Sequence, residues 1–471
     1  MIDRRTLIAA AGAAVALPVR AGPGLPSRRP LPADRRFVSP AVEREIDRIG
    51  ALIASPELRW LFTNCYPNTL DTTVLSVETG PRRDAFVITG DIPCLWLRDS
   101  AAQLKPYLHL VRDDPRLRDL FRGLIARHAR SILIDPYANA FMQDFAAKTD
   151  LRWALHDETD MRPGVAERKW EVDSLCYALR LAHGYWTATR DPVPFDATWA
   201  ESARAIVRTF RTEQRTSGTS PYRFRRAAPQ PTETLLWGTG NPTRPVGLIH
   251  SGFRPSDDAC LYPLFVPANL FAVTTLRELA IVAYQACGDT ALAADATALA
   301  DEVAAALARH GLMRLSSGQE VWAYEVDGYG NAVFMDDANV PSLSGLGYLG
   351  CVAPDDARWR RTEAAAWSPA NPWFFRGRAG EGIGGPHVGS GQIWPMSLIV
   401  RALSARDDAT IRTCLRTLMA THAGTGFIHE AFDRDDPATF TRRWFAWANG
   451  LFGELVVHLA ATRPHLLKEP W

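Results

Sequence analysis

The chain has 471 residues, 47% of them hydrophobic and 22% charged, which is the balance of a water-soluble globular protein. Lys and Arg number 53 against 52 Asp and Glu, so the formal charge is +1 and no net field draws the chain to nucleic acid or to an anionic membrane. Seven scattered cysteines without a CxxC pair exclude a disulfide framework and a cysteine-zinc site, and read as small core residues.

The N-terminus, "MIDRRTLIAAAGAAVALPVRAGPG", places Arg4 and Arg5 before an apolar run from Leu7 to Leu17. Residues 1–21 therefore read as a twin-arginine-like export signal, too short for a permanent membrane span, and predict an exported, periplasmic protein without stable membrane association. No later stretch reads as transmembrane. Residues 22–39, rich in Pro and Arg, read as a linker, and a single catalytic domain is expected over 40–471.

Helical periodicity then dominates. Asp114-Pro115 is an N-cap followed by Leu117, Leu120, Phe121, Leu124 and Ile125 at helical spacing. The same period recurs in Leu175, Ala178, Leu179, Ala182 and Trp186, and again in Leu276, Leu279, Val282 and Ala283. Gly288-Asp289 stops one helix and caps the next, which carries Leu292, Ala296, Leu299 and Val303. A last broad apolar face runs from Trp444 to Leu459. Between helices lie long stretches dense in Gly, Pro, Trp, Asp and Asn (85–100, 214–258, 321–347 and 366–394), longer than a compact domain keeps without a use for them. No βα alternation is visible. The pattern predicts an all-α toroid of helical hairpins whose loops converge on one mouth.

Two motifs fail on inspection. "GEGIGG" at 380–385 matches GxGxxG, but Pro386 stands where a phosphate-binding helix would begin and no strand pattern precedes it. "HDE" at 156–158 reads as a solvated acidic turn. What remains is a set of acidic loops rich in aromatic residues. "SGFRPSDDAC" (251–260) sets Asp257 and Asp258 beside Arg254 between apolar segments, where burial raises a carboxyl pKa; a helix N-cap at Ser256 is the structural alternative. "YEVDGYGNAVFMDDANVPSL" carries Asp336, Asp337 and Asn339; "GIGGPHVGSGQIWP" presents His387; "HAGTGFIHEAFD" leads to His429 and Glu430. Paired carboxylates, hydroxyl-binding Arg and Asn, and fifteen tryptophans as stacking platforms, with no cofactor motif, point to glycoside hydrolysis.

These residues fall in segments that resemble glycoside hydrolase family 125: "TGDIPCLWLRDSAAQLKPYL", "WEVDSLCYALRLAHGYW", "SGFRPSDDACLYPLFVPANLFAV", "YEVDGYGNAVFMDDANVPSL", "GIGGPHVGSGQIWP" and "GTGFIHEAF", in order from about residue 40 to 460. The resemblance implies an (α/α)6 barrel, exo-acting α-1,6-mannosidase activity with inversion, no metal and no cofactor, and an α-mannosyl oligosaccharide as substrate. Carried onto this sequence, the general acid falls on the Asp257–Asp258 pair, with Asp257 favoured as the first of the two, and the general base on Glu430. Arg98, Asp99, Asp258, Asn339, His387 and His429 are expected to hold the sugar. The chain departs from the family pattern at Cys94-Leu95, at Ala431 and around His387, none of them a proposed carboxylate. The competing expectations are an exo-α-glycosidase of other specificity on the same fold, and a carbohydrate-binding protein with a disused site.

Overall fold

The computed structural model describes residues 25–471; the proposed export signal, 1–21, lies outside the described residues. The Pro/Arg-rich segment is not a free tether over 25–39. Trp60 Nε1 donates to the Pro26 carbonyl at 2.8 Å, and Arg29 binds Asp71 at 2.7 Å and Glu43 at 2.9 Å. Composition marked this stretch as extended, but a guanidinium fork that finds two carboxylates docks an extended strap firmly. Ser39 ends the strap by capping α1 (Pro40–Gly50), accepting from Val42 N at 3.2 Å.

The helices that build the packing are α2 (Pro56–Cys65), α3 (Leu97–Leu104), α4 (Pro115–Ile134), α5 (Val172–Thr189), α6 (Ala197–Glu213), α7 (Val266–Cys287) and α8 (Thr290–His310). After them come α9 (Leu346–Leu349), α10 (Ala357–Ala366), α11 (Pro395–Ser404), α12 (Asp408–Ala420) and α13 (Ala446–Thr462). The expected caps are in place. Asp114 Oδ1 accepts from Arg116 N at 2.9 Å with Pro115 in the first turn of α4, where its missing N–H costs nothing. Gly288 closes α7 at φ +66°, a left-handed turn that glycine enters freely, and Asp289 accepts from Leu292 N at 3.0 Å to start α8.

Packing follows a simple order. Each of α3, α5, α7, α9, α11 and α13 contacts the next, and α13 returns to α3. Outside them, α4 packs on α5 and α6, α8 on α7 and α6, α12 on α11, and α2 on α13. The apolar periodicity read in α4, α5, α7, α8 and α13 is the surface buried in these pairings. One expectation needs correction: α7 is long and apolar enough to cross a membrane by length and composition. It is apolar all round because it is walled in by neighbours, 72% of the qualifying window being buried.

The loops also hold strands of two to five residues, below the length at which period-two patterning can be read. Three-stranded sheets join Leu95–Trp96, Ala140–Phe141 and Val165–Glu167; Leu264–Phe265, Glu325–Val326 and Ala332–Val333; and Gln392–Ile393, Ala431–Asp433 and Phe440–Thr441. One strand of each set leads directly into, or up to a turn before, an inner helix (α3, α7 and α11). "GEGIGG" belongs to this class: Glu381–Ile383 pairs with Phe374–Arg376 and no helix follows. The seven cysteines are free, five of them buried.

Candidate active site

A cavity of about 1120 Å³ opens where the inner helices begin. Arg98 and Asp99 reach it from the first turn of α3, Trp394 from the start of α11, and Trp447 from the start of α13. Asp257, Asn339, His387 and Glu430 reach it from the acidic loops. Gathering helix N-termini on one side places partial positive charge around these carboxylates, which offsets part of their desolvation. The floor is buried (Arg98, Asp99, Asp257, Glu430), while Asp150, Arg152 and Arg443 stand exposed at the rim. Trp153, Phe440 and Phe445 add the apolar surface a sugar ring can stack on.

The Asp257–Asp258 pair is not a helix cap. No helix starts between 251 and 265, and Asp257 sits at φ +66°, in the left-handed region. Aspartate tolerates that region better than most residues, and the turn sends the two neighbouring carboxyls to different places. Asp257 lines the cavity, whereas Asp258 is fully buried beneath it, with Oδ1 3.6 Å from His387 Nδ1. Arg254 does not serve either carboxyl with its side chain. Its Nε donates to Glu325 Oε1 at 2.7 Å, and its backbone holds the pair, Arg254 N donating to the Asp258 carbonyl at 2.8 Å and Asp257 N to the Arg254 carbonyl at 2.9 Å.

Around Asp257 the structure assembles groups that spacing did not single out. Glu171, just before α5, receives Arg98 Nη1 at 2.5 Å and Ser174 Oγ at 2.8 Å. Lys169 Nζ donates to the Asp257 backbone carbonyl at 2.6 Å. Burial, reinforced by Asp257 and Asp173, holds the Glu171 carboxyl well above the usual carboxylate range against the pull of Arg98. Burial also raises Asp173 to about 7. Glu171 and Asp173 stand in "WEVDSL", but an acid at a helix start reads as a dipole partner, and only the fold reveals their neighbours.

Across the cavity, Glu430 is buried, with Oε1 3.3 Å from Arg442 Nη1. Arg442 also binds Asp91 and lies 4.8 Å over the Phe445 ring, so its position is fixed from two sides. Asn339 lines the cavity and donates through Nδ2 to Asp337 Oδ1 at 3.0 Å. Asp336 faces away, accepting from the Leu343 and Ser344 amides at 2.7 and 2.9 Å, while burial lifts it to about 7. A Cβ at Gly385 would stand 3.1 Å from the Asp337 carboxyl, so glycine leaves this carboxyl in place without the shift a larger residue would require.

His429, like Asp258, is a predicted site residue that does not reach the lining. It is buried behind it, Nε2 2.9 Å from Thr425 Oγ1 and its ring stacked 3.7 Å from Phe440. Burial lowers it to about 3, so it is a neutral support for a wall residue. "HDE" follows its reading in part: His156 and Glu158 are exposed, but the Asp157 carboxyl is buried and paired with Arg226 Nη2 at 2.7 Å. Glu233, Asp258 and His387 bring potential metal-ligating atoms within 4.8 Å of one another. Lys169 and Arg226 each stand 3.1 Å from Glu233 Oε2, however, and two cations there fit a charge-paired cluster better than a bound metal.

Comparisons with known proteins cover most of the chain. The profile of a family described as metal-independent α-mannosidase (GH125) matches residues 55–457. The meiotically up-regulated gene 157 protein of Schizosaccharomyces pombe is 40% identical over 461 residues, covering 94% of this chain and 90% of its own. A metal-independent α-mannosidase of Streptococcus pneumoniae, solved in a non-productive complex with α-1,6-mannobiose, superposes with a TM-score of 0.85. It is 38% identical and matches over 91% of this chain and 100% of its own. A GH78 rhamnosidase of Bacillus sp. GL1 shares the fold at 11% identity, with a TM-score of 0.51 over 87% of this chain and 35% of that enzyme.

Proposed function

The chain belongs to the metal-independent α-mannosidase family GH125 and is a glycoside hydrolase, and we propose from this that it removes terminal α-1,6-linked mannose from oligosaccharides with inversion. The observation that carries the reading is one cavity that two loops 173 residues apart in sequence furnish with a buried carboxyl each, Asp257 and Glu430, alongside Asp99 from α3. Asp257 gives its proton to the glycosidic oxygen as that bond breaks. Glu430 takes a proton from the water that attacks C1 from the opposite face. Arg98, Asp99 and Asn339 bind the hydroxyls of the terminal mannose, His387 approaches from the Gly-rich loop, and Asp258 holds His387 from below. The mannobiose complex of the Streptococcus pneumoniae relative supports the linkage. The inner contacts from α3 round to α13 and back support closure as an (α/α)6 barrel.

The purified protein is incubated with α-1,6-mannobiose and the anomeric protons of the first product are followed by NMR. Early β-mannose is the expected result. Early α-mannose would make one carboxyl a nucleophile; no mannose from a folded protein would move the function to another glycoside or to sugar binding without turnover.

Export to the periplasm by a twin-arginine-like signal remains the reading of residues 1–21, supported by Arg4-Arg5 ahead of the apolar run. N-terminal sequencing of protein recovered from the producing cell should find a mature chain that lacks this segment; an intact Met1 would sink the idea.

A further inference from the structure

The cavity is larger than a disaccharide needs. Pockets that enclose one drug-sized ligand, roughly the bulk of mannobiose, run to about 300–1,000 Å³. This one measures about 1120 Å³. Its two working walls come from different parts of the chain. Glu430, with Arg442 beside it, is the side from which water attacks, and Asp257 is the side on which the bond breaks. The sugars that leave therefore extend along the Asp257 wall.

Trp153 belongs to that wall. Its Nε1 donates to Glu167 Oε1 at 3.1 Å, and the same carboxylate receives Arg226 Nη2 at 2.9 Å and Asn139 Nδ2 at 3.0 Å. Asn139 Nδ2 in turn lies 3.4 Å from Asp257 Oδ1. Glu167 and Asn139 thus tie the indole to the acid. Phe440, also a half-buried ring of the lining, stands on the opposite wall, stacked 3.7 Å from His429. The indole is also packed against a small apolar cluster apart from the main core, which includes Trp96, Leu151 and Ala166. A rigid ring fixed in this way gives up little freedom when a sugar lands on it. Exposed Asp150 and Arg152 flank it on the rim, where they can meet hydroxyls.

We propose that Trp153 is the platform for the sugar that follows the leaving mannose, so that the preferred substrates are α-mannosides at least three sugars long. The leaving mannose has to lie against Asp257, which is buried on the floor, whereas Trp153 stands half-buried at the rim, beyond Asn139 and Glu167. An α-1,6 link carries an extra rotatable bond, so the chain past the leaving mannose is floppy and a fixed aromatic face restrains it. The proposal rests on the α-1,6-mannosidase reading and on Asp257 as the acid.

The test is kcat/KM for linear α-1,6-mannotriose and for α-1,6-mannobiose, measured from the first mannose released by the parent enzyme and by Trp153→Ala. Both sugars break the same kind of bond with the same acid and base, so an effect on the proton donor cancels in the ratio. The parent should favour the trisaccharide by about tenfold, mainly through KM. In W153A the ratio should fall to within about twofold of one. On 2,4-dinitrophenyl α-mannoside, which has no third sugar, W153A should stay within about threefold of the parent. A parent ratio near one, or a ratio that W153A leaves unchanged, overturns the proposal. An equal loss on both sugars is the second of these cases and makes Trp153 a support for Glu167. If W153A does not fold, Trp153→Phe keeps a smaller ring without the bond to Glu167 and should lower the ratio partway; an unmoved ratio again overturns it. Failure of the underlying reading looks different: a folded parent would then release mannose from neither sugar. Calorimetric binding of the two sugars to parent and W153A still reads the platform in that case, and equal affinities would overturn it.

Discussion

Asp257→Asn is expected to lower kcat on α-1,6-mannobiose by about 10²- to 10⁴-fold, the usual contribution of a positioned general acid. An alkoxide on a sugar is a poor leaving group, so without a proton donor the C1–O bond breaks only at a high barrier. The dinitrophenyl mannoside leaves as a stabilised phenolate, and D257N should recover most of its activity on it. The fold should not suffer. Asp257 stands against Glu171 and beside Arg98 in a cluster rich in carboxyls, so an amide of the same size in its place should leave the melting temperature unchanged or slightly higher at neutral pH. Asp258→Asn is the control. Asp258 lies under the cavity with His387 and does not line it, so its loss should act mainly through KM. An active D257N and a dead D258N would exchange the two roles, and a collapse of melting temperature in both would return the pair to structural duty.

Glu430→Gln should cost turnover by about 10²- to 10⁴-fold with either substrate, because water must be deprotonated whatever group is leaving. This contrast with D257N is the sharper result: the leaving group rescues one variant and not the other. Arg442 keeps Asp91 and the Phe445 face when Glu430 loses its charge, so the site should stay in place. The check is kcat for E430Q on mannobiose and on the dinitrophenyl mannoside. Full recovery on the activated substrate would make Glu430 a second acid rather than the base.

Helix positions were legible because the apolar periods and caps are local. Asp114-Pro115 and Gly288-Asp289 start and stop helices through bonds reaching two or three residues. The short strands were not legible, since pairs such as Leu95–Trp96 with Ala140–Phe141 join segments 45 residues apart. The docked strap was misread for a related reason: composition records that residues 25–39 are Pro- and Arg-rich, but not that Asp71 and Glu43 wait for Arg29. His429 was placed at the site by its adjacency to Glu430, yet neighbouring residues entering a short strand point to opposite sides.

By itself the sequence determined the chemistry on offer: a soluble, helix-dominated chain carrying two acids in loops that resemble one family of glycosidases. Those properties are carried by residue type and short-range spacing. Only the tertiary structure decided which member of the acid pair lines the cavity, through a left-handed turn at Asp257, and which buried groups stand around it. Glu171, Asn139 and Arg98 meet Asp257 across 86 to 159 residues of chain. Protonation depends on charges a few ångströms away in a low dielectric, and no spacing in the sequence encodes that distance.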